Sequence, residues 1–402
     1  MLKEMLFIKK LFKINEISKY KILTAIRYLG DSFFYPFFAL YLESTGMIEK
    51  DIGFILSIAP ILSIVCNPIY SYLCKDINKT RKVLEIITIL EGIFIAIVAF
   101  SSNFYLVTIL TILIAIFGSC HYGLLDSITS FFANSNNINY SGIRIFGSSA
   151  YIIGTTLGGI ITKYINYQSC FIFACIFFIL SGLFYFLLMP FDNPEVRDTK
   201  VNTKETIKYL FKNKKYVFFI IFYCLLYGTQ YSSGSFYSLY LSSRGITSSQ
   251  YGLIYSYFVI FEVVTLFILN KKLKSDNKNI NKPLLLISSI LLFIRLLVNY
   301  LDLNIYIVIF ISCLRGIGYA FILHTAFTYV QLIVKKESAS LAIMIITLFY
   351  SIYVAIWNNV NGMLIDKYSY KTFHLVNAIL ALVAIILAII RLFFKEDSKN
   401  EY

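Results

Sequence analysis

The sequence predicts an all-α polytopic membrane protein of twelve transmembrane helices, arranged as two six-helix bundles related by pseudo-two-fold symmetry. Three observations lead there. Of 402 residues, 58% are hydrophobic and only 14% charged, with a mean hydropathy of +0.73, whereas a soluble chain carries roughly 25% charged residues. The chain divides into twelve apolar stretches, each close to the roughly 20 residues that one crossing needs. The longest polar connection, about Phe191 to Lys215, falls after the sixth stretch and separates six from six.

The stretches follow in order. The first, 20–43, holds Arg27 and Asp31 and ends in the aromatic run FYPFFALYL. The second, 51–74, stops at a basic turn with Lys75, Lys79, Arg81 and Lys82. The third, 83–102, carries Glu85 and Glu91. The fourth, 104–133, carries His121 and Asp126, and a short polar turn from Asn134 to Asn139 joins it to the fifth, 140–163, with Arg144 and Tyr151. The sixth and seventh, 169–189 and 216–242, add no charged group to this interior set. Glu262 lies in the eighth, 250–270, Arg295 in the ninth, 283–301, and Arg315 and His324 in the tenth, 305–334. The eleventh and twelfth are 338–361 and 372–394.

Lysine and arginine set the orientation, because cytoplasmic loops carry the excess. With the N-terminus inside, the cytoplasmic side receives the basic stretch Met1–Lys21, the turn after the second segment, and the connection from Arg197 to Lys215. It also receives Lys271 to Lys282, Lys335, Lys336 and the basic residues from Arg391 onward. The opposite side receives Lys50, Lys163, Arg244, Lys367 and Lys371. Both termini are therefore expected in the cytoplasm, and Met1–Lys21, which lacks the order of a signal peptide, is expected to remain there, lying on the bilayer. The net charge of +14 sits in patches between apolar runs, as membrane topology requires, so it does not indicate nucleic acid. The seven cysteines have neither metal-ligand spacing nor a clear extracellular pairing and read as reduced packing residues.

Charged groups at bilayer depth are costly unless they are paired or face a water-filled cavity, which makes them functional candidates by default. Four arginines and five carboxylates nearly balance here, consistent either with a network around a cavity or with static ion pairs that lock helices together. Arg27 and Asp31 stand i, i+4 on one helix face and can be a purely structural pair. Asp126 and Arg144 lie on consecutive segments, where a carboxylate facing a guanidinium can bind hydroxyl groups; Tyr151 follows along the arginine's helix and can stack on a sugar or base. Glu262, Arg295 and Arg315 would form the second-half group, with a carboxylate able to exchange a proton. His324 is nine residues after Arg315, half a turn out of phase. Phosphate loops, His/Glu metal motifs and nucleophile elbows do not occur, so no enzyme, cofactor or metal is indicated.

At these residues the chain resembles the major facilitator superfamily, in the branch of lactose permease, the nucleoside permeases and the phenylpropionate permeases. FYPFFALYL from Phe34 and NPIYSYLCKDINKTRKVL from Asn67 are similar to that branch's first-helix run and its second-helix end with basic turn. LLDSITSFF and NYSGIRIFGSSAY resemble its fourth-helix acid and its Gly-Arg-x-Arg-x-Phe/Trp-Gly segment, with only the second arginine kept and Gly142 at the first. The resemblance implies that Asp126 and Arg144 bind substrate and that Tyr151 holds the place of a stacking aromatic. Glu262, Arg295 and LRGIGYAFILHTAFTYV from Leu314 resemble the family's eighth, ninth and tenth helices, with His324 at a histidine of the phenylpropionate type. Arg315 and Gly318 stand where lactose permease has a histidine and a glutamate central to proton release.

The expectation is therefore an N-terminal six-helix bundle at 1–190, a cytoplasmic linker at 191–215 and a C-terminal bundle at 216–402, in the cytoplasmic membrane. The bundles would move a sugar or nucleoside-like solute by alternating access with proton symport, as a monomer and without cofactor. Asp126, Arg144, Tyr151, Arg27 and Asp31 would bind the solute; Glu262, Arg295, Arg315 and His324 would couple protons. Efflux or uniport of an organic anion, aromatic compound or drug is the alternative, and a membrane sensor on the same fold is the alternative of another class.

Overall fold

The computed structural model describes residues 15–74, 76–136, 138, 140–188, 203–272 and 281–393. The N-terminal stretch before Asn15, Lys75 of the basic turn, and connection residues 189–202 lie outside it.

In hydrocarbon every backbone N–H and C=O needs an internal partner, so an apolar chain of this length becomes helix. All twelve apolar stretches are helical. The first half contains α1 (Glu16–Ser44), α2 (Glu49–Leu73), α3 (Ile77–Val98), α4 (Phe104–Gly118), α5 (His121–Ser135), α6 (Ser141–Tyr164) and α7 (Tyr167–Leu187). The connection contributes α8 (Thr203–Lys212). The second half contains α9 (Lys214–Tyr223), α10 (Thr229–Ser235), α11 (Tyr237–Ser243), α12 (Ser248–Lys272), α13 (Asn281–Tyr300), α14 (Ile305–Ile311), α15 (Cys313–Ile333), α16 (Ala339–Lys367) and α17 (Tyr370–Phe393).

Three stretches are broken rather than continuous. The fourth parts at Ser119–Cys120 into α4 and α5. The seventh passes through a π-helical turn at Cys224–Gly228 and a further break at Phe236. The tenth breaks at Ser312, whose hydroxyl donates to the Ile309 carbonyl at 2.6 Å, an intrahelical bond that competes with the backbone ladder. Among the described residues, nine helical spans are long and apolar enough to cross a membrane. The first stretch misses that mark because it carries Arg27 and Asp31, the third because of its charged groups, and the seventh because it is interrupted.

The same pairing scheme recurs in the two halves. α1 packs against α6 and α7, and α3 packs against α4, α5 and α7; correspondingly the seventh stretch packs against α16 and α17, and α13 against α15 and α17. This is the repeat expected of a pseudo-two-fold bundle pair. The described chain clusters into two compact units. One gathers Met1–Met47, Ile58–Asp198 and Gly245–Ser256, and the other Ile48–Ser57, Thr199–Arg244 and Tyr257–Tyr402; α2 and α12 thus each contribute to both.

Small residues let these helices close. α17 shows the division of labour: Ala378, Ala381, Ala384 and Ala388 are buried, while Ile379, Leu382, Val383, Ile386, Ile389 and Ile390 are exposed. Exposed apolar faces of this extent need a hydrocarbon solvent, and close alanine packing supplies the contact that membrane helices use in place of a hydrophobic driving force. All seven cysteines are unpaired, five of them buried.

Candidate functional site

Within the first unit the structure builds two ionic groups of different character. The inner one starts on α1, where Arg27, Asp31 and Tyr35 follow at steps of four and share one face. Arg27 Nη2 lies 3.1 Å from Asp31 Oδ1 and 3.1 Å from Glu91 Oε2 of α3, and all three side chains have zero exposure. The same nitrogen donates to Glu91 Oε1 at 3.2 Å. The Tyr35 hydroxyl donates to Glu91 Oε1 at 2.9 Å, and the Tyr122 hydroxyl to Asp31 Oδ2 at 2.5 Å. Phe178 of α7 lies under the guanidinium, 4.1 Å from ring centroid to Cζ.

That cluster needs close backbones. A Cβ on Gly118, at the end of α4, would fall into the Glu91 carboxylate, 2.8 Å from its Cδ; a Cβ on Gly30 would lie 2.6 Å from the Phe178 ring. The break after α4 therefore sits where a small residue lets the backbone reach a buried acid. Next to it, His121 is closed by two hydroxyls, Thr88 at 3.1 Å from Nδ1 and Tyr185 at 3.0 Å from Nε2.

The outer group is Asp126 of α5 with Arg144 of α6, 3.0 Å apart and 41% and 36% exposed. Tyr140 donates to Asp126 Oδ1 at 2.6 Å, and the Arg144 guanidinium lies over the Tyr28 ring at 5.1 Å. Tyr28 meets Tyr151 edge-on at 6.3 Å, and Tyr151 packs against Tyr255 at 5.6 Å. A half-exposed ion pair inside a helical span cannot face lipid cheaply, so water reaches this face. Its carboxylate accepts, its guanidinium donates, and Tyr28 and Tyr140 touch it with Tyr151 one ring further out, a set suited to a polar ring-shaped solute.

In the second unit Arg295 is buried. Its Nη2 donates to Ser233 at 3.1 Å, the Tyr237 ring stands at 5.8 Å, and Nε and Nη1 have no hydrogen-bond partner. Among the described residues no carboxylate pairs with it. Arg315 lies over the Phe258 ring at 4.4 Å, and its carbonyl accepts from Gln230 at 3.2 Å. A Cβ on the next residue, Gly316, would stand 2.9 Å from the Glu262 backbone nitrogen, so α12 and α15 touch where Glu262 and Arg315 are borne. His324 makes no ionic, hydrogen-bonded or ring contact with any of these three among the described residues, in keeping with its half-turn offset.

The sequence reading thus finds Asp126, Arg144 and Tyr151 in one neighbourhood. Arg27 and Asp31 pair as their spacing allows but do not satisfy only each other, because Glu91 completes them. Glu91, Tyr122, Tyr35 and Tyr140 were absent from the predicted site. Tyr122 stands one turn before Asp126 and was findable from that spacing; the Glu91 pairing joins two non-consecutive helices and has no local signature.

Comparison with known proteins agrees with this architecture. The chain is similar to an uncharacterized transporter, YwbF, of Bacillus subtilis, 26% identical over 59% of this chain and 59% of that protein's length. It is similar to a probable 3-phenylpropionic acid transporter of Escherichia coli, 22% identical over 64% of this chain and 67% of the relative. A sucrose permease of Escherichia coli is 24% identical over 86% of both. The crystal structure of the nucleoside transporter NupG superposes with a TM-score of 0.79 at 17% identity, covering 95% of this chain and all of that one, which establishes the major facilitator fold. The family described as "MFS_1 like family" matches residues 19–376, and the chain belongs to that major facilitator family.

Proposed function

We propose that this protein is a secondary transporter of the cytoplasmic membrane that moves a small polar solute, a sugar or nucleoside, by alternating access coupled to protons. The bundles 1–190 and 216–402, joined by 191–215, are its moving parts, and both termini are cytoplasmic. The observation that carries the reading is the Asp126–Arg144 pair, half-exposed and in contact with Tyr140 and Tyr28, with Tyr151 beyond Tyr28. Unlike the fully buried Arg27–Asp31 contact, this pair keeps hydrogen-bonding capacity on a face open to a solute. The permease and transporter relatives support the same reading. Glu262, Arg295, Arg315 and His324 enter it as second-half groups whose charge environment changes through the cycle.

The test is a thermal-stability screen of the purified protein against sugars, nucleosides and aromatic acids. A ligand that binds only the folded state, present at 100 times its dissociation constant, adds about 2.7 kcal/mol. A shift from one class, lost in Asp126→Asn and in Arg144→Ala, is the expected result. A shift that survives both substitutions refutes the site.

One observation favours a second reading, in which the solute is an organic anion such as an aromatic acid. Arg295 is a buried guanidinium with two nitrogens unsatisfied and, among the described residues, no carboxylate partner, and a buried cation is stabilised by an anion that reaches it. Stabilisation by aromatic acids that disappears in Arg295→Gln would select this reading over the first.

A further inference from the structure

We propose that the Arg27–Asp31–Glu91 cluster is the proton-carrying site of this transporter, holding one proton shared between the two carboxyl groups. The inference rests on the transport reading above but places the proton store in the first unit, apart from Glu262, Arg295, Arg315 and His324.

Charge count is the first ground. One guanidinium meets two carboxylates, and all three side chains have zero exposure. Fully ionised, the group has an excess negative charge in a site closed to water, which is strongly unfavourable. One added proton makes it neutral.

Geometry is the second ground. A single nitrogen, Nη2, serves both carboxylates, while Nε and Nη1 have no hydrogen-bond partner. The guanidinium therefore has spare donors and can favour whichever carboxylate is ionised, leaving the proton on the other.

Access is the third ground. Each carboxylate receives the hydroxyl of a partly exposed tyrosine, Glu91 from Tyr35, 43% exposed, and Asp31 from Tyr122, 36% exposed. A phenolic hydroxyl that donates to a carboxylate can relay a proton to it while accepting another on its own oxygen, so each acid has its own hydroxyl through which a proton would travel.

The remaining titratable groups around the cluster do not replace it. His121 is held by Thr88 and Tyr185, one hydroxyl for each ring nitrogen, which suits a neutral imidazole with one donor and one acceptor. The Tyr185 hydroxyl is taken up by His121, the Tyr28 hydroxyl makes no hydrogen bond, and Asp126 pairs with Arg144. The cluster also adjoins the proposed solute pair: Tyr122 is one turn before Asp126 on α5, its ring meets Tyr28 at 5.6 Å, and Tyr28 lies under Arg144. A solute that draws Arg144 or Asp126 aside disturbs these rings and, through Tyr122, the hydrogen bond on Asp31.

The experiment is infrared difference spectroscopy of the purified full-length protein through an alkaline titration, in light and heavy water. Wild type should show a protonated-carboxyl stretch that shifts in heavy water and disappears as the site ionises. Because one proton is shared, both Glu91→Gln and Asp31→Asn should abolish the band completely, each leaving a neutral pair with Arg27; His121→Gln should keep it. A band that persists in either carboxyl variant, that vanishes in His121→Gln, or that is missing from wild type overturns the assignment. In liposomes, with labelled sucrose, uridine and 3-phenylpropionate as probes, Glu91→Gln should exchange a transported probe but no longer accumulate it against an imposed pH gradient. Continued accumulation by Glu91→Gln overturns the proposal. If wild type exchanges none of the probes, the solute reading fails while the infrared band still decides where the proton resides.

Discussion

Replacing Arg27 by Gln tests whether the inner cluster is held by charge. At an effective dielectric constant of about 20, unit charges 3.1 Å apart attract by roughly 5 kcal/mol, and Arg27 stands at that distance from two carboxylates. The two oxygens share one nitrogen neighbour, so they are at most about 6 Å apart and repel by roughly 3 kcal/mol or more when both are ionised. Desolvation of the ions cancels much of the gross attraction, and breaking a buried pair from one side costs a net of about 3–5 kcal/mol. Arg27→Gln should lose that amount. Glu91→Gln should lose less than about 1.5 kcal/mol, because it leaves a balanced Arg27–Asp31 pair that is neutral without a bound proton. The triple variant Arg27→Gln/Asp31→Asn/Glu91→Gln should recover most of the loss. Unfolding can be followed in mixed micelles by a thiol-reactive dye, since Cys170 and Cys120 are buried in the same unit. If Arg27→Gln lies within about 0.5 kcal/mol of wild type, the ordinary range of a surface substitution, or if Glu91→Gln costs as much as Arg27→Gln, the charge argument is wrong.

Other expectations follow from single contacts. Gly118→Ala forces a methyl group into the Glu91 carboxylate and should cost about 1–3 kcal/mol as overpacking; the penalty should shrink in a Glu91→Ala background, measured by the same unfolding assay. In the second unit Asn377 donates to both Asn361 and the Phe373 carbonyl at 2.8 Å, with both side chains of the asparagine pair buried. Asn377→Leu should destabilise by about 1–2 kcal/mol, and Asn361→Leu in the same chain should add little. Asp126→Asn should abolish the solute-induced thermal shift with less than about 1 kcal/mol change in the stability of the unliganded protein, since a half-exposed ion pair contributes little on its own.

The number and order of the apolar stretches were legible because hydrocarbon imposes one rule on every backbone group, and a run of about twenty apolar residues has no other solution. The breaks were less so. Ser119–Cys120, the Cys224–Gly228 turn and Ser312 lie within continuous hydrophobicity, and what stops the helix is local hydrogen bonding or a close neighbour. Site residues divide along the same line. Asp126 and Arg144 belong to consecutive segments joined by a short turn, so their meeting could be anticipated; Arg27 and Asp31 share a helix face. Glu91 could be recognised as a costly residue in a span, yet its partner could not be named, because its approach to α1 depends on the packing that Gly30, Gly118 and Phe178 permit.

That difference bears on how charge is distributed along the chain. Counting all intramembrane ionic groups gives a near balance, which suggests mutual neutralisation across the whole set. Resolved by neighbourhood, the balance is uneven: an excess carboxylate beside Arg27 in the first unit, and in the second a buried Arg295 with no carboxylate paired to it among the described residues. Groups so placed cannot cancel one another by direct contact within their own unit, so each needs something mobile to become neutral. For two carboxylates around one guanidinium the smallest such species is a proton; for a lone guanidinium it is an anion or the polar face of a solute. A fold that needed charges only as locks would have no reason to leave them uneven, and removing the excess acid while sparing the arginine is the substitution that separates a lock from a carrier.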